Sequence, residues 1–311
     1  MRNDSPLRFP GGKSRISDFI REVILLNDCR KHYVEPFAGG AGIALSLLFD
    51  STVDRITIND KDPAIYSFWY SAVNHTAEFC EMIEKTSVTI EERTNQYNKQ
   101  KDCCSTELER GFSTFFLNRT NRSGVIDAGP IGGFNQNGNY KIDVRFNKAE
   151  LISRIERLGK FRERINVTNE DAGELIRNYL PKLDSNSFVY LDPPYYKQGP
   201  KLYLNHYSHD DHVALSKCIS QVGQKWAISY DNVPEVRSLY SKYFGRAFSI
   251  GYSVVNGRVG PEVMYFSDKL ITPVSMGIVN GTKRSNDIDI IAEPNQKRFQ
   301  ERVDSKASVV G

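Results

Sequence analysis

The 311-residue chain has few cysteines, no long apolar run, no internal repeat and little net charge. Its five cysteines are Cys29, Cys80, Cys103, Cys104 and Cys218. The number is odd and no pair has C-x-x-C spacing, which argues against a disulfide framework and against a zinc site. A reducing compartment suits such a set. No apolar stretch approaches the roughly 18 residues of a membrane span. The first residues, MRNDSPLRFPGGK, are polar at once, so no secretory signal is expected. The sequons at Asn74, Asn118 and Asn121 then say nothing about glycosylation.

Hydrophobic residues make up 40% and charged residues 25%, an ordinary globular balance that permits a sizeable core. The net charge is only +3, but it is unevenly spread. From Arg110 to Arg164 there are eleven Lys/Arg against five Asp/Glu, so the rest of the chain is slightly acidic. A local basic excess suits a polyanionic partner, although a solvated helix face produces the same pattern.

Short apolar, β-rich runs alternate with helical patterns. Strands are expected at Tyr33–Phe37, Arg55–Asn59, Arg164–Thr168, Phe188–Leu191 and Trp226–Tyr230. Phe248–Val255 and Glu262–Phe266 read as an antiparallel pair joined by Asn256–Gly260. The alternation implies an α/β fold: a mostly parallel sheet with helices on both faces. Asp62 followed by Pro63 marks a helix start. Between about 75 and 160 the alternation stops. Capping-box patterns at Thr89/Glu92 and Thr106/Glu109 start helices there, and 124–138, rich in Gly and Asn, reads as loop or hairpin. This divides the chain into 1–74 plus 161–270, a sheet-forming domain, and 75–160, a smaller inserted domain. The tail, 271–311, is polar and expected to be flexible, with Asp287–Ile291 as a stray strand.

Three motifs carry chemistry. Glu35-Pro-Phe37-Ala-Gly39-Gly-Ala-Gly42 joins a strand to a helix where open α/β sheets bind nucleotides, and its glycines allow close backbone approach. Asp60, at the end of the next strand, is placed as the carboxylate that accepts from ribose hydroxyls, or as a mere helix cap. Phe9-Pro-Gly-Gly-Lys13-Ser14 imitates the end of a phosphate-binding loop, but Leu7 stands where that loop needs glycine, which excludes nucleoside triphosphate hydrolysis. Finally, Asp192-Pro193-Pro194-Tyr195 follows a buried strand. Its prolines fix φ and have no N–H, which holds their carbonyls out rigidly. A rigid carbonyl and a carboxylate can accept both hydrogens of an amino group and aim its lone pair at an electrophile, while Tyr195 stacks on the ring bearing the amine.

Together these motifs resemble the Dam-like, D12 class of adenine-specific DNA methyltransferases. The resemblance covers roughly residues 5–270, in the family's order: Pro-Gly-Gly-Lys13, Glu35-Pro-Phe-x-Gly-Gly, Asn59-Asp60, the insertion, Asp192-Pro-Pro-Tyr195. Phe115–Val125 and Gly133-Phe134-Asn135 inside the insertion also match. Ala41 and Phe9 depart from the commonest family residues. The resemblance implies a Rossmann-like methyltransferase sheet that uses S-adenosylmethionine, with an inserted, mostly helical target-recognition domain. Phe9, Lys13, Glu35, Phe37, Gly39, Asp60, Asp192 and, more weakly, Asp171 would bind the cofactor. Asp192, Pro193, Pro194 and Tyr195 would be catalytic, acting on adenine N6 in double-stranded DNA after base flipping. Arg119, Arg122, Arg145 and Lys148 would contact DNA. No metal is expected, since the reaction needs no Lewis acid. The cytoplasm of a bacterial or phage-infected cell, a monomer, and a companion restriction endonuclease are the implied setting. Cytosine N4, RNA adenine, a protein glutamine, or a silent DNA-binding homologue remain as alternatives.

Overall fold

A computed structural model describes residues 4–9, 13–197, 207–250, 260–268, 270–273 and 290–292. After a short 3₁₀ turn at Lys13–Ile16 come α1 (Ser17–Leu26), β1 (His32–Glu35), α2 (Gly42–Phe49), β2 (Arg55–Asn59) and α3 (Pro63–Asn74). Four helices follow: α4 (Thr76–Lys85), α5 (Ile90–Lys101), α6 (Glu107–Thr120) and α7 (Lys148–Lys160). The alternation then resumes with β3 (Ile165–Thr168), α8 (Ala172–Asn178), β4 (Ser187–Leu191), α9 (His209–Ile219), β5 (Lys225–Asp231) and α10 (Pro234–Leu239). Three antiparallel strands complete the described chain: β6 (Phe244–Ile250), β7 (Gly260–Phe266) and β8 (Ile290–Ala292).

These strands form one sheet in the order β3-β2-β1-β4-β5-β7-β6-β8. The first five are mutually parallel, as the alternation requires, and β7, β6 and β8 each run antiparallel to the neighbour before them. The fold is thus α/β and Rossmann-like. The order reverses between β1 and β4, and an open sheet offers a ligand crevice at the carboxyl ends of such a strand pair. The turn after β1 and the Asp192 loop after β4 both open there.

Local chemistry explains most boundaries. Asp62 caps α3 by accepting from Ala64 N, with Pro63 in the first turn. Thr89 caps α5, and Thr106 with Glu109 forms a complete capping box on α6. The last hairpin starts earlier than the sequence pattern suggests. Gly245 weakens the strand signal, yet the Tyr265 ring fills its place, lying 2.6 Å from where a Cβ would stand. Positions 251–255 lie outside the described residues, as do 10–12, 274–289 and 293–311, and so most of the tail on which an expectation was placed.

Helices cover both faces of the sheet. On one face α1, α2, α3 and the inserted helices share a single apolar cluster that includes Ile20, Leu45, Phe68, Phe115 and Leu158. The Phe68 and Phe115 rings stack with centroids 5.8 Å apart. Gly111 permits this approach, because a Cβ there has no room against the Ser67 carbonyl. On the other face α8, α9 and α10 enclose Leu175, Leu215, Val236 and Tyr240. Among the described residues no helix is long and apolar enough to cross a membrane.

Candidate active site

The turn after β1 is shaped by two left-handed residues, Gly39 (φ +45°) and Ala41 (φ +46°). Ala41 shows that the left-handed position need not be glycine when the turn holds it. Gly39 is constrained from three sides. Its N–H donates to Asp60 Oδ2 at 2.9 Å, its carbonyl accepts from Trp69 Nε1 at 2.9 Å, and a Cβ would lie 2.8 Å from the Phe9 ring. Phe9 therefore lies against the glycine turn. Asp60 Oδ1 accepts from Asp62 N at 3.0 Å, so its carboxylate is oriented by the backbone on both oxygens. Burial raises its pKa to about 6, against the two backbone N–H groups that lower it.

Asn59, fully buried, stitches three strand ends together. Its Nδ2 donates to the Pro36 and Glu170 carbonyls, and its Oδ1 accepts from Thr168 Oγ1 and Glu170 N. Glu35 is buried beneath the turn, where its Oε1 accepts from Tyr33 OH at 2.8 Å and Ala44 N at 3.1 Å. Burial pushes its carboxyl up to about 8. Phe37 packs edge-on against Tyr207, with ring centroids 5.9 Å apart. Asp171 caps α8 through Gly173 N and pairs with Lys61 at 3.0 Å. Burial alone would raise its pKa, but Lys61 and the Gly173 N–H outweigh it and the pKa is lowered.

Beside this turn stands the loop after β4. Asp192 is half-buried, and its Oδ1 accepts from Ser229 Oγ at 2.8 Å. Ser229 is held in turn by the Tyr190 hydroxyl at 2.8 Å. Lys13 reaches across from the N-terminal segment, with Nζ 3.4 Å from Asp192 Oδ1 and 4.7 Å from the Tyr195 ring centre, and it donates to Tyr195 OH. Tyr195 is 8% exposed. Asp231, the last residue of β5, fixes the far side of the loop by accepting from Tyr196 N at 2.8 Å and Lys197 N at 2.9 Å.

The fold thus brings Phe9, Lys13, Glu35, Phe37, Gly39, Asp60, Asp192, Pro193, Pro194 and Tyr195 to one edge of the sheet, and Asp171 to its margin beside Asp60. The basic residues of the insertion divide. Arg122 and Arg145 are exposed. Arg119 donates to the Arg145 and Pro6 carbonyls, and burial lowers its pKa to about 10, with Arg8 and Arg154 adding to the effect. Lys148 donates to the Glu84 carbonyl. These two hold backbone carbonyls of the N-terminal segment and the insertion.

Sequence reasoning passed over Tyr190, Ser229, Asp231 and Glu262. Asp231 carried a usable signal, since it ends an apolar strand as Asp60 and Asp192 follow theirs. Glu262 carried a weaker one, a carboxylate in an otherwise apolar strand. It is 1% exposed, and its Oε2 lies 3.5 Å from Lys13 Nζ.

Comparison with known proteins gives the family. The description "D12 class N6 adenine-specific DNA methyltransferase" matches residues 9–253. The chain is 25% identical over 242 residues to the type II methyltransferase M.MjaIII of Methanocaldococcus jannaschii, covering 71% of this chain and 81% of that protein. It is 26% identical over 277 residues to M.CviBI of Paramecium bursaria Chlorella virus NC1A, covering 83% and 95%. It is 22% identical over 251 residues to M1.LlaDCHI of Lactococcus lactis subsp. cremoris, covering 76% and 84%. The site at the β1–β4 crevice and a match across most of the chain lead to one conclusion: this chain belongs to the D12 class N6 adenine-specific DNA methyltransferase family.

Proposed function

We propose that this protein transfers a methyl group from S-adenosylmethionine to the exocyclic N6 amine of adenine in duplex DNA. The observation that carries this reading is that the proline-fixed Asp192 loop and the Gly39 turn follow neighbouring strands, β4 and β1, at the point where the strand order reverses.

The residues fit the cofactor. The glycine turn admits close approach, the Phe9 ring offers an apolar face beside it, and Asp60 presents a carboxylate already oriented by Gly39 and Asp62. Phe9, Lys13, Glu35, Phe37, Gly39, Asp60 and Asp171 would hold or frame it. When bound, S-adenosylmethionine supplies an electrophilic methyl on a sulfonium.

The chain's own residues do the rest by positioning and charge. Asp192 Oδ2 and the Pro193 carbonyl accept the two amine hydrogens and turn the nitrogen lone pair outward. Ser229 holds Asp192 Oδ1, so the carboxylate is oriented before substrate arrives. Positive charge develops on the amine nitrogen during transfer, and the Asp192 carboxylate faces it. Reaching this site requires the base to leave the duplex. Tyr195 would stack on it, and because Lys13 lies over that ring, stacking takes rearrangement of the loop. We read 1–74 with 161–270 as the catalytic domain and 75–160 as the DNA-recognition part, with exposed Arg122 and Arg145 against phosphates.

Sequencing modified bases in DNA from cells expressing the protein tests this reading. Methylated adenine at a defined site is expected, and its loss in Asp192→Ala with the fold intact. Methyl transfer at the normal rate by Asp192→Ala, or a modified cytosine, would overturn it.

A further inference from the structure

β7 runs antiparallel to the five parallel strands, so its beginning, not its end, lies at their carboxyl edge. Register pairs Glu262 with Asp231 at the end of β5, and this places a buried carboxylate beside the Asp192 loop. Lys13, whose side chain is 5% exposed, stands between two carboxylates, 3.4 Å from Asp192 Oδ1 and 3.5 Å from Glu262 Oε2. Both separations are longer than good hydrogen bonds, so the attraction is mainly that of charges.

One ammonium and two carboxylates set up a competition. With Glu262 ionised, the group keeps one negative charge in excess of Lys13. With Glu262 neutral, Asp192 alone must neutralise Lys13, and it is then drawn away from the task of holding an amine. We propose that Glu262 is a positioning residue for methyl transfer: its carboxylate holds the Lys13 ammonium and so leaves the Asp192 charge for the target amine. This rests on the function proposed above.

The groups facing Glu262 are Lys13 from the 3₁₀ turn, Asp192 and Tyr195 from the loop, Tyr190 from β4 and Asp231 from β5; its partner on β6, Phe248, does not titrate. Burial raises the Glu262 pKa to about 7, with Asp192 adding to the rise and Lys13 and Tyr195 opposing it. Its charge is present above that pH, so the rate climbs as pH rises through it.

The test uses the full chain labelled with ¹³C-lysine, with the Lys13 signal assigned by its disappearance in Lys13→Arg, alongside kcat measured against pH. In the wild type the Lys13 signal is expected to show a step near neutral pH as Glu262 titrates. In Glu262→Gln that step is lost, and the Lys13 midpoint falls by about one pH unit. In the same variant kcat falls roughly tenfold to a hundredfold without an acid limb, while KM for S-adenosylmethionine stays within about twofold. Glu262→Asp keeps the charge and retains the limb and most of the rate.

An absent Lys13 step in the wild type overturns the proposal, and that readout needs no variant to fold. So does a Glu262→Gln enzyme with wild-type kcat and an unchanged acid limb. Failure of the wild type to methylate any DNA overturns the functional reading instead, and the Lys13 titration tells the two apart.

Discussion

The Asn118 side chain takes up both backbone groups of Arg8: its Oδ1 accepts from Arg8 N at 2.8 Å, and its Nδ2 donates to the Arg8 carbonyl at 2.8 Å. One amide thereby imitates a strand neighbour and ties the segment that carries Phe9 to α6 in the insertion. The same Nδ2 also donates to the Gly124 carbonyl. Asn118→Ala leaves buried backbone groups unmet, at a cost of about 1–3 kcal/mol. Because Phe9 follows directly, KM for S-adenosylmethionine should rise more than kcat falls. Calorimetry and steady-state kinetics check both, and an unchanged KM would show that the tie serves stability alone.

Asp231 holds the backbone on the far side of Tyr195 by accepting from Tyr196 N and Lys197 N. Asp231→Ala should lower kcat by roughly tenfold or more, since loss of orientation at a reacting centre is costly. Cofactor affinity should change little. Single-turnover methylation with equilibrium binding of S-adenosylmethionine separates the two effects.

Glu35 contributes to the dependence of stability on pH. Its folded pKa of about 8 lies above the ordinary 4.5, so folding takes up a proton. Its contribution is complete below about pH 4.5 and is lost as pH rises towards 8, at up to roughly 1.4 kcal/mol per pH unit. Glu35→Gln should flatten the fall of Tm across that window. A wild-type slope in the variant would mean that another group dominates.

The exposed and engaged arginines should behave differently. Arg145→Ala is expected to weaken DNA binding and reduce the salt slope by about one phosphate's worth, with little change in Tm. Arg119→Ala should instead lower Tm, because it removes bonds to the Pro6 and Arg145 carbonyls. Titrations at several salt concentrations, with melting curves, distinguish them.

Gly39→Ala combines a left-handed φ with a Cβ 2.8 Å from the Phe9 ring. Either the turn or Phe9 must move, so cofactor affinity should drop about tenfold while overall stability falls by roughly 1–2 kcal/mol. Isothermal titration with S-adenosylmethionine measures the first effect directly.

The parallel strands were legible because each is a short apolar run bounded by turn chemistry. Asp192 and Asp60 were legible because each stands just beyond such a run, and family resemblance gave them roles. The start of β6 was obscured because Gly245 hides its pairing, a matter of the Tyr265 ring across the ladder. The carbonyl contacts of Arg119 and Lys148 were equally hidden, since a side-chain cation that binds a distant carbonyl looks in sequence like one left exposed.

Local order alone thus determined the strand–helix alternation, the caps at Asp62, Thr89 and Thr106, and the two loops to which the chemistry is assigned by proposal. Those depend on neighbouring residues, where periodicity and turn preference act. The tertiary structure decided which charges surround Asp192. Lys13, Ser229 and Glu262 come from separate parts of the chain, and only strand order and the antiparallel sense of β7 bring them within a few ångströms of one another.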